Sequence, residues 1–135
     1  MTDLQVRRHA LVLAEPGQSL PKLRARRCVC GYVACPPQAY GCERCGEPAS
    51  AAADVVLETR GVLSALTTVH VHPKLQTPYG VGRVALDGGP VLDVRLEGEA
   101  ELSIGSRVEG RLVATQDVAG VSALDLHFAR EESAP

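Results

Sequence analysis

Aromatic side chains are scarce in this sequence. The 135 residues include three Tyr, one Phe and no Trp, together 3% of the chain, although 45% of the residues are apolar. A hydrophobic core must therefore be built from Val, Leu, Ile and Ala. The second half of the chain offers only Tyr79 and Phe128 for base stacking, which is few for a protein that holds single-stranded nucleic acid.

Long hydrophobic runs are also missing. No apolar run approaches the ~18 residues that a membrane-spanning helix needs. The short run at residues 10–14 ends at Glu15-Pro16, without the small-residue cleavage site of a secretion signal. We therefore expect a soluble, cytoplasmic protein that contacts no membrane.

Acidic residues outnumber basic ones in the larger part of the chain. Residues 1–50 hold seven Lys/Arg and four Asp/Glu, whereas residues 51–135 hold seven Lys/Arg and twelve Asp/Glu. A protein that binds nucleic acid needs a basic face to neutralise phosphates, so this balance predicts that no nucleic acid is bound. Three arginines precede the first cysteine, Arg24, Arg26 and Arg27, and we interpret them as a solvated basic strip.

Patterns typical of autonomous enzymes are absent as well. The sequence contains no paired carboxylates, no Gly-rich phosphate loop and no Ser-His-Asp arrangement above chance. His70 and His72 alternate with valines, and His127 alternates with Leu126 and Phe128 in the same way. Alternation of this kind predicts histidines on the outward face of a strand. The sequence therefore predicts that the chain has no catalytic residues of its own.

Cysteine occurs in only one segment. All five cysteines lie between Cys28 and Cys45, whereas the disulfides of a secreted protein normally use an even number spread through the fold. The motif Cys42-x-x-Cys45-Gly46 is the firmest signal, because it lets two thiolates converge on one ion while the glycine accommodates a tight turn. Metal binding is thus the favoured function of this segment.

The second pair of ligands is less regular. Cys30-Gly31 matches the end of another such motif, but Arg27 stands where its first cysteine would be, and Cys28 follows one residue later. Either Cys28 binds through a tighter Cys-x-Cys turn or Cys35 replaces it. We favour a structural zinc site because four thiolates suit tetrahedral Zn²⁺, with iron as the alternative metal. The favoured ligands are Cys28, Cys30, Cys42 and Cys45.

Turn-forming residues divide the chain into three parts. Pro16, Gly17 and Pro21 interrupt any helix near the start, so residues 1–27 are expected to form a leader. Residues 28–50 hold the cysteines and are expected to form a zinc ribbon. The small residues after Pro48 suit a connector, and the β-rich pattern that follows predicts a second domain over residues 51–135.

The second domain contains five β-rich runs, at residues 62–71, 80–86, 91–96, 107–114 and 121–128. The second and third runs are separated by Asp87-Gly88-Gly89-Pro90, which is a strong hairpin signal. Five strands fit the Greek-key barrel of the OB-fold, and closure of the barrel removes exposed edges. Because the pattern does not determine strand order, a small sandwich is the alternative.

Several short motifs resemble the zinc-ribbon plus OB-fold family known as domain of unknown function 35. In the ribbon they are Cys30-Gly31, Pro36-Pro37 and Cys42-x-x-Cys45-Gly46. In the second domain they are Arg60-Gly61-Val62-Leu63-Ser64, Thr68-Val69-His70, Pro78-Tyr79, Val84-x-Leu86-Asp87, Gly89-Pro90-Val91-Leu92, Leu102-x-Ile104-Gly105-x-x-Val108-Glu109 and Phe128-x-Arg130. Each motif is weakly specific, but their order and spacing are much harder to obtain by chance.

The resemblance implies a mainly β fold in which a rubredoxin-like zinc ribbon is followed by a five-stranded OB-fold barrel. It also implies a non-catalytic accessory subunit that forms a hetero-oligomer with a thiolase-like or lipid-transfer-protein-type enzyme. Such an enzyme acts on acyl-CoA thioesters in lipid or related metabolism, and acyl-CoA is a candidate ligand. The alternatives are a nucleic-acid-binding ribbon and OB module, or an acyl-CoA-binding protein that acts alone.

Three features depart from the family pattern. Cys28-x-Cys30 replaces the usual Cys-x-x-Cys, and Gln38 stands where the family tends to have arginine. The leader is also shorter than in many relatives. Any ligand contact that a longer leader makes in those relatives does not transfer to this chain.

Overall fold

The structure is a computed structural model, and it describes residues 11–13, 20–37 and 40–132. Gln38 and residues 1–10 and 14–19 of the predicted leader lie outside the described residues. Strands account for most of the described chain, and its two helical segments are single 3-10 turns at Ala49–Ala51 and Glu99–Glu101. No helix in the described ranges has the length and apolar character needed to cross a membrane.

The first part of the fold is a four-stranded sheet, here called the ribbon sheet. Its central strand pairs antiparallel with two short strands along one edge and with a seven-residue strand along the other. The chain from Cys28 to Ala52, here called the cysteine segment, leaves this sheet at the end of the central strand and returns at the start of the long edge strand. In chain order the strands are β1 (Val12–Leu13), β2 (Lys22–Cys28), β3 (Val33–Ala34) and β4 (Ala52–Glu58).

Strand β2 begins inside the predicted leader, where the sequence pattern does not reveal it. Leu23 and Ala25 are each 1% exposed, whereas Arg24 and Arg27 lie on the surface. Alternation of buried and exposed residues is typical of a half-buried strand, but here it covers few residues and includes three arginines. The strand forms because β4 pairs with all seven of its residues.

The second part is a closed barrel of five strands in the order β5-β6-β7-β9-β8. Strand β5 pairs with both β6 and β8, and a parallel pairing of β7 with β9 closes the barrel. Closure confirms the predicted barrel and excludes the sandwich alternative. The strands are β5 (Arg60–Val69), β6 (Tyr79–Leu86), β7 (Val91–Leu96), β8 (Arg107–Gln116) and β9 (Ser122–Arg130).

The five predicted runs correspond to these five strands, with ends that differ by a few residues. The predicted hairpin at residues 87–90 joins β6 to β7, and Gly89 there has a φ of +116°. Glycine adopts that conformation without a steric penalty. Hydrophobic side chains fill the barrel as predicted, and its most buried members are Leu63, Val84, Val108 and Phe128.

A single residue, Thr59, connects the ribbon sheet to the barrel. Its side chain is fully buried, and its hydroxyl donates to the carbonyl oxygen of Pro21 at 2.7 Å. Its own carbonyl oxygen accepts from the N–H of Gly110 on β8 at 2.8 Å. Both bonds are made by buried groups, which are costly to leave unpaired, so the junction holds the two parts together.

His127 on β9 differs from its prediction in exposure. It alternates with core residues Leu126 and Phe128, as expected for an outward side chain, yet its side chain is only 2% exposed. Nδ1 lies 2.5 Å from Oε1 of Glu97, and Nε2 lies 3.2 Å from Oδ2 of Asp125. Because Glu97 follows β7, these contacts bridge the strands whose pairing closes the barrel.

Replacing His127 with Leu should destabilise the protein. The change removes both carboxylate contacts of a buried group, and we expect a loss of about 2 kcal/mol in the free energy of unfolding. Urea denaturation followed by circular dichroism measures the loss. The matched control is His70→Leu, an exposed histidine, which should change stability by less than about 0.5 kcal/mol. Equal stability of the two variants would contradict the role given to His127.

Candidate metal centre

The first cysteine turn starts at the end of β2. The N–H of Cys28 donates to the carbonyl oxygen of Tyr32, and the N–H of Gly31 donates to that of Cys28, both at 2.8 Å. Gly31 has a φ of +95°, a conformation that favours glycine. This tight turn is how a Cys-x-Cys spacing brings the side chains of Cys28 and Cys30 to one side.

The second turn is built in the same way around Cys42. The N–H of Gly46 donates to the carbonyl oxygen of Cys42 at 2.9 Å, and the N–H of Cys42 donates to that of Glu47 at 2.8 Å. Gly46 has a φ of +79°, and the N–H of Arg44 lies 3.4 Å from the Cys42 sulfur. Backbone N–H groups that point at sulfur stabilise the thiolate form.

The two turns face each other and bring four sulfur atoms together. The Sγ atoms of Cys28, Cys30, Cys42 and Cys45 all lie within 4.8 Å of one another. Cys28 and Cys45 are 3.5 Å apart, and Cys30 and Cys42 are 3.8 Å apart. Tetrahedral zinc with bonds of ~2.3 Å places its sulfur ligands about 3.8 Å apart. The spacing therefore fits a metal such as zinc.

The four clustered cysteines are the favoured set of the sequence prediction, and Cys35 lies elsewhere. The Cys35 thiol donates to the carbonyl oxygen of Arg24 at 3.4 Å. Its side chain packs against the hydrophobic core. The structure therefore brings Cys28, and not Cys35, into the group that could hold a metal.

The close approach of the thiols changes their acidity. A backbone hydrogen bond from Cys45 is the main cause that lowers the pKa of Cys42 to about 7. For Cys45, a backbone hydrogen bond from Glu47 lowers the pKa, but reduced hydration and three neighbouring thiols outweigh it and raise that pKa to about 12. Four adjacent thiols resist becoming four adjacent anions, and a dication would relieve that repulsion.

A tyrosine links the two turns. The Tyr32 hydroxyl donates to Oε2 of Glu43 at 3.2 Å. The negative charge of Glu43 is the main cause that raises the pKa of Tyr32. Tyr32 follows the first cysteine pair and Glu43 lies between the second pair, so the bond holds one turn against the other.

One residue beside the centre was not recognised from the sequence. Arg26 was interpreted as part of a solvated strip, but its side chain is only 26% exposed. It donates to the carbonyl oxygens of Ala49 and Ala52, each at 3.3 Å. It also lines a small pocket together with Cys28 and Cys42. No sequence signal separates Arg26 from Arg24, because both alternate with buried apolar residues.

Fold and site together define the class of protein: a five-stranded OB barrel that carries a four-cysteine ribbon. Residues 54–113 match the family described as the C-terminal OB-fold domain of ChsH2. The match supports the resemblance to the OB-fold family known as domain of unknown function 35 that the sequence motifs indicated.

A solved structure is similar to this protein over most of the chain. A structure described as "Ltp2-ChsH2(DUF35) aldolase" is 24% identical in sequence and superimposes with a TM-score of 0.61. The match covers 81% of this chain and 84% of the other, so the shared fold extends beyond residues 54–113. No curated protein matches the sequence.

Serine substitutions should separate the clustered cysteines from Cys35. Cys28→Ser and Cys42→Ser each remove one of four clustered thiols, and we expect the purified variants to lose most of the metal that the unchanged protein carries. Cys35→Ser is the matched control and should keep it. Elemental analysis by mass spectrometry gives the metal content per chain. Loss of metal in the Cys35 variant with retention in the Cys28 variant would contradict the assignment.

Proposed function

We propose that this chain is a non-catalytic accessory subunit of a lipid-transfer-protein-type or other thiolase-like enzyme that acts on acyl-CoA thioesters. The observation that carries the proposal is the combination of a ChsH2-type OB domain with a four-cysteine ribbon. The same arrangement is similar to a structure described as an Ltp2–ChsH2(DUF35) aldolase. In this proposal the reaction belongs to the partner enzyme, and this chain supplies surface and rigidity.

We further propose that the ribbon binds one Zn²⁺ through Cys28, Cys30, Cys42 and Cys45. Four thiolates complete a tetrahedral zinc site without an open position, which suits a structural role. The ribbon has a small apolar core, and a metal orders residues that such a core could not order alone. Clamped in this way, the cysteine turns present a fixed face to a partner at little entropic cost.

Two histidines of the barrel domain support a non-catalytic role because they make hydrogen bonds within the fold. His127 is held between Glu97 and Asp125. Nδ1 of His72 accepts from the backbone N–H groups of Lys74 and Leu75, at 3.0 and 2.9 Å. A general base needs a free nitrogen close to its substrate, whereas both ring nitrogens of His127 and Nδ1 of His72 already make contacts within the fold.

The aromatic residues of the barrel argue against a nucleic-acid-binding module, the second candidate function. Phe128 is fully buried in the core. The guanidinium carbon of Arg95 lies over the Tyr79 ring, 4.4 Å from its centre, so this face of the ring is covered. Base stacking needs open aromatic faces and a basic groove, and residues 51–135 carry more acidic than basic side chains.

Accordingly, the protein should not bind single-stranded DNA or RNA at physiological salt. Fluorescence anisotropy with labelled oligonucleotides measures the affinity, and we expect no binding up to the micromolar range. The control Arg95→Ala uncovers Tyr79 and should not create binding, because a basic groove would still be missing. Submicromolar binding that weakens steeply with salt would support the second candidate instead.

The exposed apolar residues of the ribbon are candidates for contact with a partner enzyme. Val29 is 77% exposed and Tyr40 is 81% exposed, and both lie in the cysteine segment. Val33, by contrast, packs against the hydrophobic core. Exposed aromatic and aliphatic residues on a rigid segment are the kind that anchor protein interfaces.

Co-expression with a cognate thiolase-like enzyme should yield a stable hetero-oligomer, with acyl-CoA turnover in the complex and none in this chain alone. A stable interface should bury more than ~1,000 Å², so a double variant Val29→Asp/Tyr40→Asp should weaken association. Size-exclusion chromatography and an acyl-CoA cleavage assay test both points. The matched control is Val121→Asp, which alters a barrel residue that is 59% exposed. Turnover by the isolated chain, or a partner that is equally active and soluble without it, would refute the proposal.

A further inference from the structure

Arg26 makes more contacts than its place in a basic strip suggests. It lies on β2, two residues before Cys28, opposite Asp54 on β4. Its Nη2 group donates to the carbonyl oxygens of Ala49 and Ala52, each at 3.3 Å. Its Nε atom lies 3.3 Å from Oδ1 of Asp54. One guanidinium thus reaches three points on the chain that returns from the second cysteine turn.

These contacts lie where the cysteine segment closes on itself. Cys28, the last residue of β2, pairs with Ala52, the first residue of β4. The N–H of Val29 donates to the carbonyl oxygen of Ala51 at 3.1 Å. The position of this closure sets how the turn that carries Cys42 and Cys45 faces the turn that carries Cys28. The guanidinium therefore contacts the chain at the point where the two ends of the cysteine segment meet.

The two carbonyl bonds matter more than the ion pair. The Asp54 side chain is 90% exposed, and exposed ion pairs contribute little. Ala49 and Ala52 are partly buried, and a charged donor makes the stronger hydrogen bonds to such carbonyls. Arginine presents several donors in a rigid plane, whereas lysine offers a compact point charge. Lysine could not reproduce this arrangement.

We propose that Arg26 is a positioning residue for the four-cysteine site, holding the closed base of the cysteine segment so that the two turns present their thiolates to one metal ion. The guanidinium also lines the small pocket that Cys28 and Cys42 line. The inference rests on the proposed metal site, and it is independent of the proposed partner enzyme.

Zinc affinity of Arg26 variants tests the proposal. Arg26→Met keeps much of the aliphatic stem and removes all donors, and we expect zinc affinity to fall between about 10- and 100-fold. Arg26→Lys keeps the charge but not the planar donors, and it should also lose at least about tenfold. Competition with a chromophoric chelator gives the affinities. The Co²⁺ absorption spectrum reports whether the sulfur ligands remain tetrahedral, and exchange of the Val29 amide reports closure of the segment.

Two controls separate positioning from a general effect of charge or of strand β2. Arg27→Met removes an exposed arginine from the same strand, and Asp54→Asn removes only the ion pair, so each should stay within about threefold of the unchanged protein. Arg26→Gln replaces Arg26→Met if the latter does not fold.

The proposal is wrong if Arg26→Lys binds zinc as tightly as the unchanged protein, if Arg27→Met loses as much zinc affinity as Arg26→Met, or if the unchanged protein binds no zinc. Failure to associate with a thiolase-like enzyme would overturn the accessory role and leave these affinities unaffected.

Discussion

The antiparallel pairing of β2 with β4 is the interaction on which the rest of the structure depends. It runs over seven residues without a bulge and ends at the pair Cys28 and Ala52. That final pair closes the cysteine segment, so the two turns face each other across a short gap. At its other end β4 leads directly into Thr59 and the barrel. One pairing therefore places the four-cysteine cluster and the barrel relative to each other.

The two parts of the chain reach stability by different means. The barrel buries Leu63, Val84, Val108 and Phe128 almost completely, and each of its strands pairs with a neighbour on both sides over at least part of its length. The ribbon contributes fewer core residues, chiefly Leu23, Ala25 and Leu57. A unit with so little apolar surface commonly needs a metal or a cross-link to hold its loops. This difference explains why all the cysteines lie in the ribbon.

The site geometry suits a structural centre better than a reactive one. The four sulfur atoms lie within 4.8 Å of one another, and four thiolates on one zinc ion would leave no open coordination site for a substrate. The buried histidine of the barrel, His127, is held within the fold between Glu97 and Asp125. What the protein offers to the outside is a rigid surface with exposed side chains such as Val29 and Tyr40. Surface of this kind fits the association with a partner enzyme that we propose.

Local sequence determined the five barrel strands, the hairpin at residues 87–90 and the cysteine motif, because alternation, turn glycines and ligand spacing act over a few residues. Only the tertiary structure placed Cys28, and not Cys35, beside the other three cysteines, since that placement depends on how β2 pairs with β4. It also decided the barrel closure by β7 and β9, which local patterns cannot specify. The roles of Arg26 and His127 depend on distant partners, since Ala49 is 23 residues from Arg26 and Glu97 is 30 residues from His127. Their side chains look exposed in the sequence, and distant segments bury them.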